Sequence, residues 1–234
     1  MKIKEIMTKE VICVNKNEDL RHVIDLMEKY NITKIPVTDD GKLIGVVTDN
    51  KMADKLGSIK SKGIPAERMH ASTIMEKDYT PVTPDTDVKE ILTTVGKPGL
   101  TMLPVVENDE LVGVVTKADL LPLVKGGVKV KEIMTQNVFT VRPYDRAIHA
   151  RRIMLDNNIA RIPVVDEGKV VGILSDKEIA FAFADVKKSF SIGHQHHHIR
   201  EILVEDVMKV PAITIMEDES VEDAAKKMME HEIG

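Results

Sequence analysis

A mixed α/β fold built from repeated β-α-β-β-α units is predicted by three observations on the 234-residue sequence. First, a short motif recurs as IKEIMT, STIME, VKEIMT and VEDVMK, with methionines Met7, Met75, Met134 and Met208. Second, the first three methionines are followed 29 residues later by a proline (Pro36, Pro104, Pro163), nine further by a glycine (Gly45, Gly113, Gly172), and three beyond that by a hydroxyl (Thr48, Thr116, Ser175). Spacings kept in this way mark internal repeats rather than chance. Third, the hydrophobic period switches within each copy from that of a helix to that of a strand.

Each copy begins with a short β-branched run, Val11–Val14 in copy one, with counterparts at Val138–Val141 and Ala212–Ile215. A helix follows, because Leu20, Val23, Ile24 and Met27 recur at i, i+3, i+4 and i+7. Val221, Ala224, Ala225 and Met228 repeat that stripe in copy four, while Gly96, Pro98 and Gly99 end the helix of copy two early. Two strands joined by a tight turn come next: IPVT and KLIGVVT around Asp39-Asp40-Gly41, and RIPVV and KVVGILS around Glu167-Gly168. A proline at the head of a strand is tolerated because that position need not donate a ladder bond. A short helix closes the unit, as in Ala118–Leu123.

The copies span 1–57, 72–125, 128–185 and 204–234, the fourth incomplete. A unit of this size cannot cover both faces of its own sheet, so copies must pair, one with two and three with four. Lys125-Gly126-Gly127 reads as the boundary between the two modules, and Gly57–Ser72 and Asp185–Leu203 as polar, partly irregular links within them. The fourth copy would reach its proline at position 237, so a continuation of roughly 45 residues is expected, judged from copy three.

Composition narrows the function. With 33 Lys+Arg against 38 Asp+Glu and no basic run, nucleic acid is an unfavoured partner. The longest apolar runs, such as LIGVV, are far too short for a membrane span, and the N-terminus lacks an apolar stretch of signal-peptide length. A single cysteine, Cys13, allows no internal disulfide and fits the cytoplasm; its strand position suggests a buried, inert thiol. There is no phosphate loop, nucleophile motif or HExxH, so an enzyme is not expected.

The combined pattern, IMT, then a helical stripe, then hPVhD, then hhGhhTxxD, resembles the CBS domain, named after cystathionine β-synthase. The resemblance covers three full copies and half a fourth. It implies paired repeats forming two flattened modules, with clefts that bind adenosine-containing ligands such as AMP, ATP or S-adenosylmethionine. It further implies a stand-alone regulatory protein, of the energy-sensing kind, that signals to a partner protein and commonly forms a homodimer.

The resemblance also implies site residues. The TxxD turn offers its acid to ribose hydroxyls. Copy two has it intact as Thr116 and Asp119; copy three has Ser175 and Glu178, longer by one methylene; copy one has Thr48 with Lys51 where the acid should stand. The same residues also read as helix caps, a role compatible with binding. The position two before the proline is basic in Lys34 and Arg161, which suits phosphate, and is Met102 in copy two. Because paired sites face each other, Lys34 or Lys51 is a candidate for the phosphate of a ligand whose ribose sits on Asp119. For the purine, Thr140 and Thr214 match the family's hydroxyl, with Cys13 and Pro81 in their place in the first module. His194, His196, His197 and His198 are weak metal candidates and otherwise a polar link. The competing function is a structural protein–protein interaction module whose clefts bind nothing, a reading that Lys51 and Met102 favour.

Overall fold

The computed structural model describes residues 1–57, 68–95, 102–189 and 195–233. Copy one opens with a 3-10 turn at Ile3–Glu5 and continues through β1 (Val14–Asn15), α1 (Leu20–Lys29), β2 (Lys34–Asp39), β3 (Lys42–Thr48) and α2 (Asp49–Gly57). Copy two has a turn at Ala71–Thr73, α3 (Val88–Val95), β4 (Met102–Glu107), β5 (Glu110–Thr116), α4 (Lys117–Leu120) and a 3-10 turn at Leu121–Leu123. Copy three contributes α5 (Val130–Ile133), α6 (Ala147–Asp156), β6 (Arg161–Asp166), β7 (Lys169–Ser175) and α7 (Asp176–Ser189). After α8 (Gln195–Glu201), copy four supplies α9 (Val204–Val207) and α10 (Val221–Glu230).

Helix α1 shows why the stripe folds as it does. The Asp19 carboxylate accepts the His22 N–H at 2.9 Å and so caps the N-terminus. Leu20, Val23, Ile24 and Met27 all lie in the core at 6% exposure or less. Each such side chain contributes about 1.5–3 kcal/mol by leaving water. Asn31, at φ 52°, then turns the chain out of the helix.

The hairpins are nearly identical. In β2–β3, β4–β5 and β6–β7 the antiparallel register slips by one residue just after the partner of the recurring glycine, between Val37 and Thr38, Val105 and Val106, and Val164 and Val165. Asp40 and Gly41 (φ 48° and 80°), and Glu167 and Gly168 (φ 46° and 77°), form the left-handed two-residue turns that match strand twist.

The chain gathers into two compact units that draw on all four copies. The larger holds Ile12–Tyr79 and Phe139–Ala212; the smaller holds Met1–Val11, Thr80–Val138 and Ile213–Gly234. In the larger unit, α2 packs along α7 over a core that includes Ile35, Val47, Leu56, Ile162, Leu174, Ile179 and Phe183. In the smaller unit, Ile3, Val88, Ile91, Leu103, Val105 and Val115 form the core.

Several expectations are corrected. The first strand is shorter than the β-branched runs suggested. In copy one it is only Val14–Asn15, parallel to β2, and in copies two and three it shrinks to single parallel bridges, Val82 with Val105 and Val141 with Val164. Ala212–Ile215 forms no strand. The α10 stripe is less covered than that of α1: of Val221, Ala224, Ala225 and Met228, only Ala225 is buried. Cys13 is exposed rather than buried, because Val14 takes the inward position of β1. The link after Asp185 is helical where described, as the end of α7 and α8. Gly96, Pro98 and Gly99 lie outside the described residues.

Candidate functional site

The motif segments have a definite role: each closes the hairpin of its paired copy. Thr8 and Val114 exchange two backbone hydrogen bonds at 2.9 and 3.0 Å, Glu76 and Val46 two at 2.8 and 2.9 Å, and Lys209 and Ile173 two at 2.8 and 3.0 Å. The methionine just before lies on the conserved glycine. A Cβ on Gly45 would stand 2.7 Å from Met75 Sδ and 3.0 Å from the Glu76 carbonyl oxygen. At Gly113 the same clash is 2.8 Å to Met7 Sδ and 3.1 Å to the Thr8 carbonyl, and at Gly172 2.7 Å to Met208 Sδ and 2.9 Å to the Lys209 carbonyl. Glycine is required here by close approach, not by φ. Among the described residues Met134 meets no such glycine, and it is exposed.

Beside each closure stands the hydroxyl turn. In copy two, Asp119 Oδ2 accepts the Thr116 N–H at 2.6 Å and the Thr116 hydroxyl at 2.7 Å. Its other oxygen accepts the Thr8 hydroxyl at 3.2 Å. In copy three, Glu178 Oε2 accepts the Ser175 N–H at 3.1 Å and also the Ser175 hydroxyl, while Oε1 lies 3.5 Å from Lys209 Nζ. The longer glutamate therefore reaches back as the aspartate does. In copy one, the Thr48 hydroxyl is buried and accepts the Lys51 N–H at 3.2 Å, and Lys51 Nζ lies 3.7 Å from Glu76 Oε1.

The two basic candidates share a neighbourhood in the larger unit. The Asp49 N–H donates to the Thr33 carbonyl at 2.9 Å, and the Asp176 N–H to the Ala160 carbonyl at 3.2 Å, which places each helix start beside Lys34 or Arg161. Burial pushes the Asp49 carboxyl up, against the charges of Lys34 and Arg161. Asp176 is pushed up to about 6 by burial and by the negative charge of Asp49, with Arg151 and Arg161 opposing. Arg151 is itself buried; its Nη2 lies 3.5 Å from the Asn50 carbonyl and 3.9 Å from Asp54. Lys34 and Arg161 thus face carboxylates already, and Arg161 remains exposed.

The other predicted positions are more scattered. Thr140 and Thr214 are exposed; Thr140 directly precedes Val141, which donates its N–H to the Pro163 carbonyl at 3.1 Å. His194 lies outside the described residues, as do the side chains of His196 and His197, and His198 Nδ1 stands 3.9 Å from Glu201. Among the described residues, no group of three or more His, Cys, Asp or Glu could hold a metal. Nor is any helix among them long and apolar enough to cross a membrane.

The residues that the sequence left unnoticed are those after the motif methionine: Thr8, Glu76 and Lys209. A signal was present for two of them, because the charges of Glu76 and Lys209 complement Lys51 and Glu178, the fourth residues of the hydroxyl turns in their paired copies.

Comparison with known proteins settles the family. The model of the CBS domain matches residues 3–58, 71–126, 130–185 and 204–234. The chain belongs to the CBS-domain family. Two uncharacterised proteins of Methanocaldococcus jannaschii are similar to it. MJ1225 is 28% identical over 200 residues, covering 78% of this chain and 70% of its own, and MJ1404 is 31% identical over 244 residues, covering 99% of this chain. The chain spans only 56% of the length of MJ1404. The crystal structure of MJ1225, described as a candidate archaeal homologue of g-AMPK, superposes with a TM-score of 0.87 at 21% identity. That superposition covers 100% of this CBS-domain chain and 91% of MJ1225, and shows the shared fold of tandem CBS repeats.

Proposed function

We propose that this CBS-domain protein is a regulatory sensor of adenosine-containing nucleotides, of the AMP, ATP or S-adenosylmethionine type, that passes its ligand state to a partner protein in the cytoplasm. The observation that carries the reading is Asp119. Its carboxylate is fixed by two hydrogen bonds from Thr116 and joined by one from Thr8, which makes a preorganised acceptor for ribose hydroxyls. Ser175 with Glu178 is the second ribose candidate. Arg161 and Lys34 are the phosphate candidates, Arg161 for its exposed guanidinium fork. The chemistry asked of these groups is binding alone.

The assembly proposed with this reading is a homodimer; Ile133 and Met216, both in the smaller unit, stand 64% and 72% exposed. A second reading, a structural interaction module without ligand, is favoured by the ion pairs Lys51–Glu76 and Lys209–Glu178, which occupy the turns of copies one and three.

Thermal-shift screening against AMP, ATP and S-adenosylmethionine separates the two. A ligand at a hundredfold excess over its Kd adds about 2.7 kcal/mol. That corresponds to a rise of roughly 5–10 °C for a chain of this size. No shift with any of the three supports the structural module instead.

A further inference from the structure

Three turns, three pairs: the residue after the motif methionine touches the fourth residue of the hydroxyl turn in each described closure. The pairs are Thr8 with Asp119 at 3.2 Å, Glu76 with Lys51 at 3.7 Å, and Lys209 with Glu178 at 3.5 Å. Each contains one carboxylate. In copies two and three it comes from the turn; in copy one it comes from the opposite side, from Glu76. The backbone frame is the same in all three, because the residue that carries the opposing side chain is held by the same reciprocal pair of hydrogen bonds. Copy one has therefore moved its acid across the closure rather than lost it.

We propose that Glu76 supplies the ribose-accepting carboxylate of copy one, with Lys51 as its neutralising partner, so that copy one also holds an adenine nucleotide. The proposal rests on the reading of the hydroxyl turns given above. The chemistry suits it. A carboxylate has about four acceptor positions, and one lysine ammonium at a loose 3.7 Å leaves capacity for ribose hydroxyls. The two side chains are 38% and 50% exposed, within reach of a small molecule. The Thr48 hydroxyl accepts the Lys51 N–H, and the fourth position of this turn, an acid in copies two and three, is a lysine here.

The test is equilibrium dialysis with AMP on four proteins: wild type; Asp119→Ala with Glu178→Ala; that double variant with Glu76→Gln added; and that double variant with Lys51→Asp and Glu76→Thr. The double variant retains a bound AMP in copy one. Adding Glu76→Gln, which keeps size and removes charge, weakens it by on the order of tenfold or more. Lys51→Asp with Glu76→Thr recreates the Thr8–Asp119 arrangement and keeps binding within a few-fold, which also shows that the closure still folds. Unchanged affinity in the Glu76→Gln protein overturns the proposal, as does a double variant that binds nothing while wild type binds. A wild type that binds no AMP overturns this proposal, while the broader nucleotide reading falls only if the thermal-shift screen with ATP and S-adenosylmethionine is also blank.

Discussion

Asp176 is an acid buried in the larger unit. It is 5% exposed, its carboxyl is pushed up to about 6, and its Oδ1 has no hydrogen-bond partner among the described residues. Folded-state stability from such a group is fully present below the usual aspartate range, near pH 3.8, and is lost as pH rises through 6. The ionised carboxylate should therefore cost stability at pH 7.5 that it does not cost at pH 5. Asp176→Asn is expected to raise the melting temperature at pH 7.5 by several degrees and by clearly less at pH 5. Equal shifts at both pH values would show that the penalty is not one of ionisation. Asp119 makes a different prediction. It stands at the first turn of α4, where losing a cap costs about 1 kcal/mol. Asp119→Ala should leave the fold intact, with a small drop in melting temperature by scanning calorimetry.

The Met–Gly closure is the device that matters among the elements. Gly45→Ala would drive a methyl into Met75 Sδ at 2.7 Å and the Glu76 carbonyl oxygen at 3.0 Å. Overpacking of this kind costs about 1–3 kcal/mol. The sulfur lies at the end of a flexible side chain, whereas the carbonyl oxygen is part of the backbone closure. Met75→Ala in the same chain should accordingly recover only part of the loss, as urea unfolding midpoints would show. Full recovery would mean that only the thioether was in the way. The sequence made the spacing of these methionines and glycines plain, because the same intervals recur in successive copies. It did not reveal that they touch across copies, since spacing within a copy says nothing of which hairpin a segment closes. The helices and hairpins were legible from their periodicity and turn residues. The first strand was not, because β-branched residues favour a strand only where a neighbour pairs with them.

Across the whole molecule, the reading of the turns as binding sites came partly from pattern and partly from contact. Thr116 was visible from the repeat spacing, and Asp119 as its acid from the resemblance to the CBS turn. The ion pairs that modify copies one and three were invisible, because their partners, Glu76 and Lys209, are distant in sequence and belong to another copy. The stripe of α10 is only partly buried where that of α1 is buried throughout, and Met216, ahead of α10, stands 72% exposed. Light scattering at tens of micromolar should give the mass of a dimer, and a monomer would remove the assembly proposed here. The central claim is that the turn of copy two holds a nucleotide's ribose. Hydrogen bonds to charged groups contribute about 1.5–3 kcal/mol. Calorimetric titration of wild type and Asp119→Ala with AMP, ATP and S-adenosylmethionine measures that bond directly. The expected result is heat of binding for at least one ligand in the wild type, weakened roughly tenfold to a hundredfold in Asp119→Ala; equal affinity in the two proteins, or no heat from any ligand in the wild type, would contradict it.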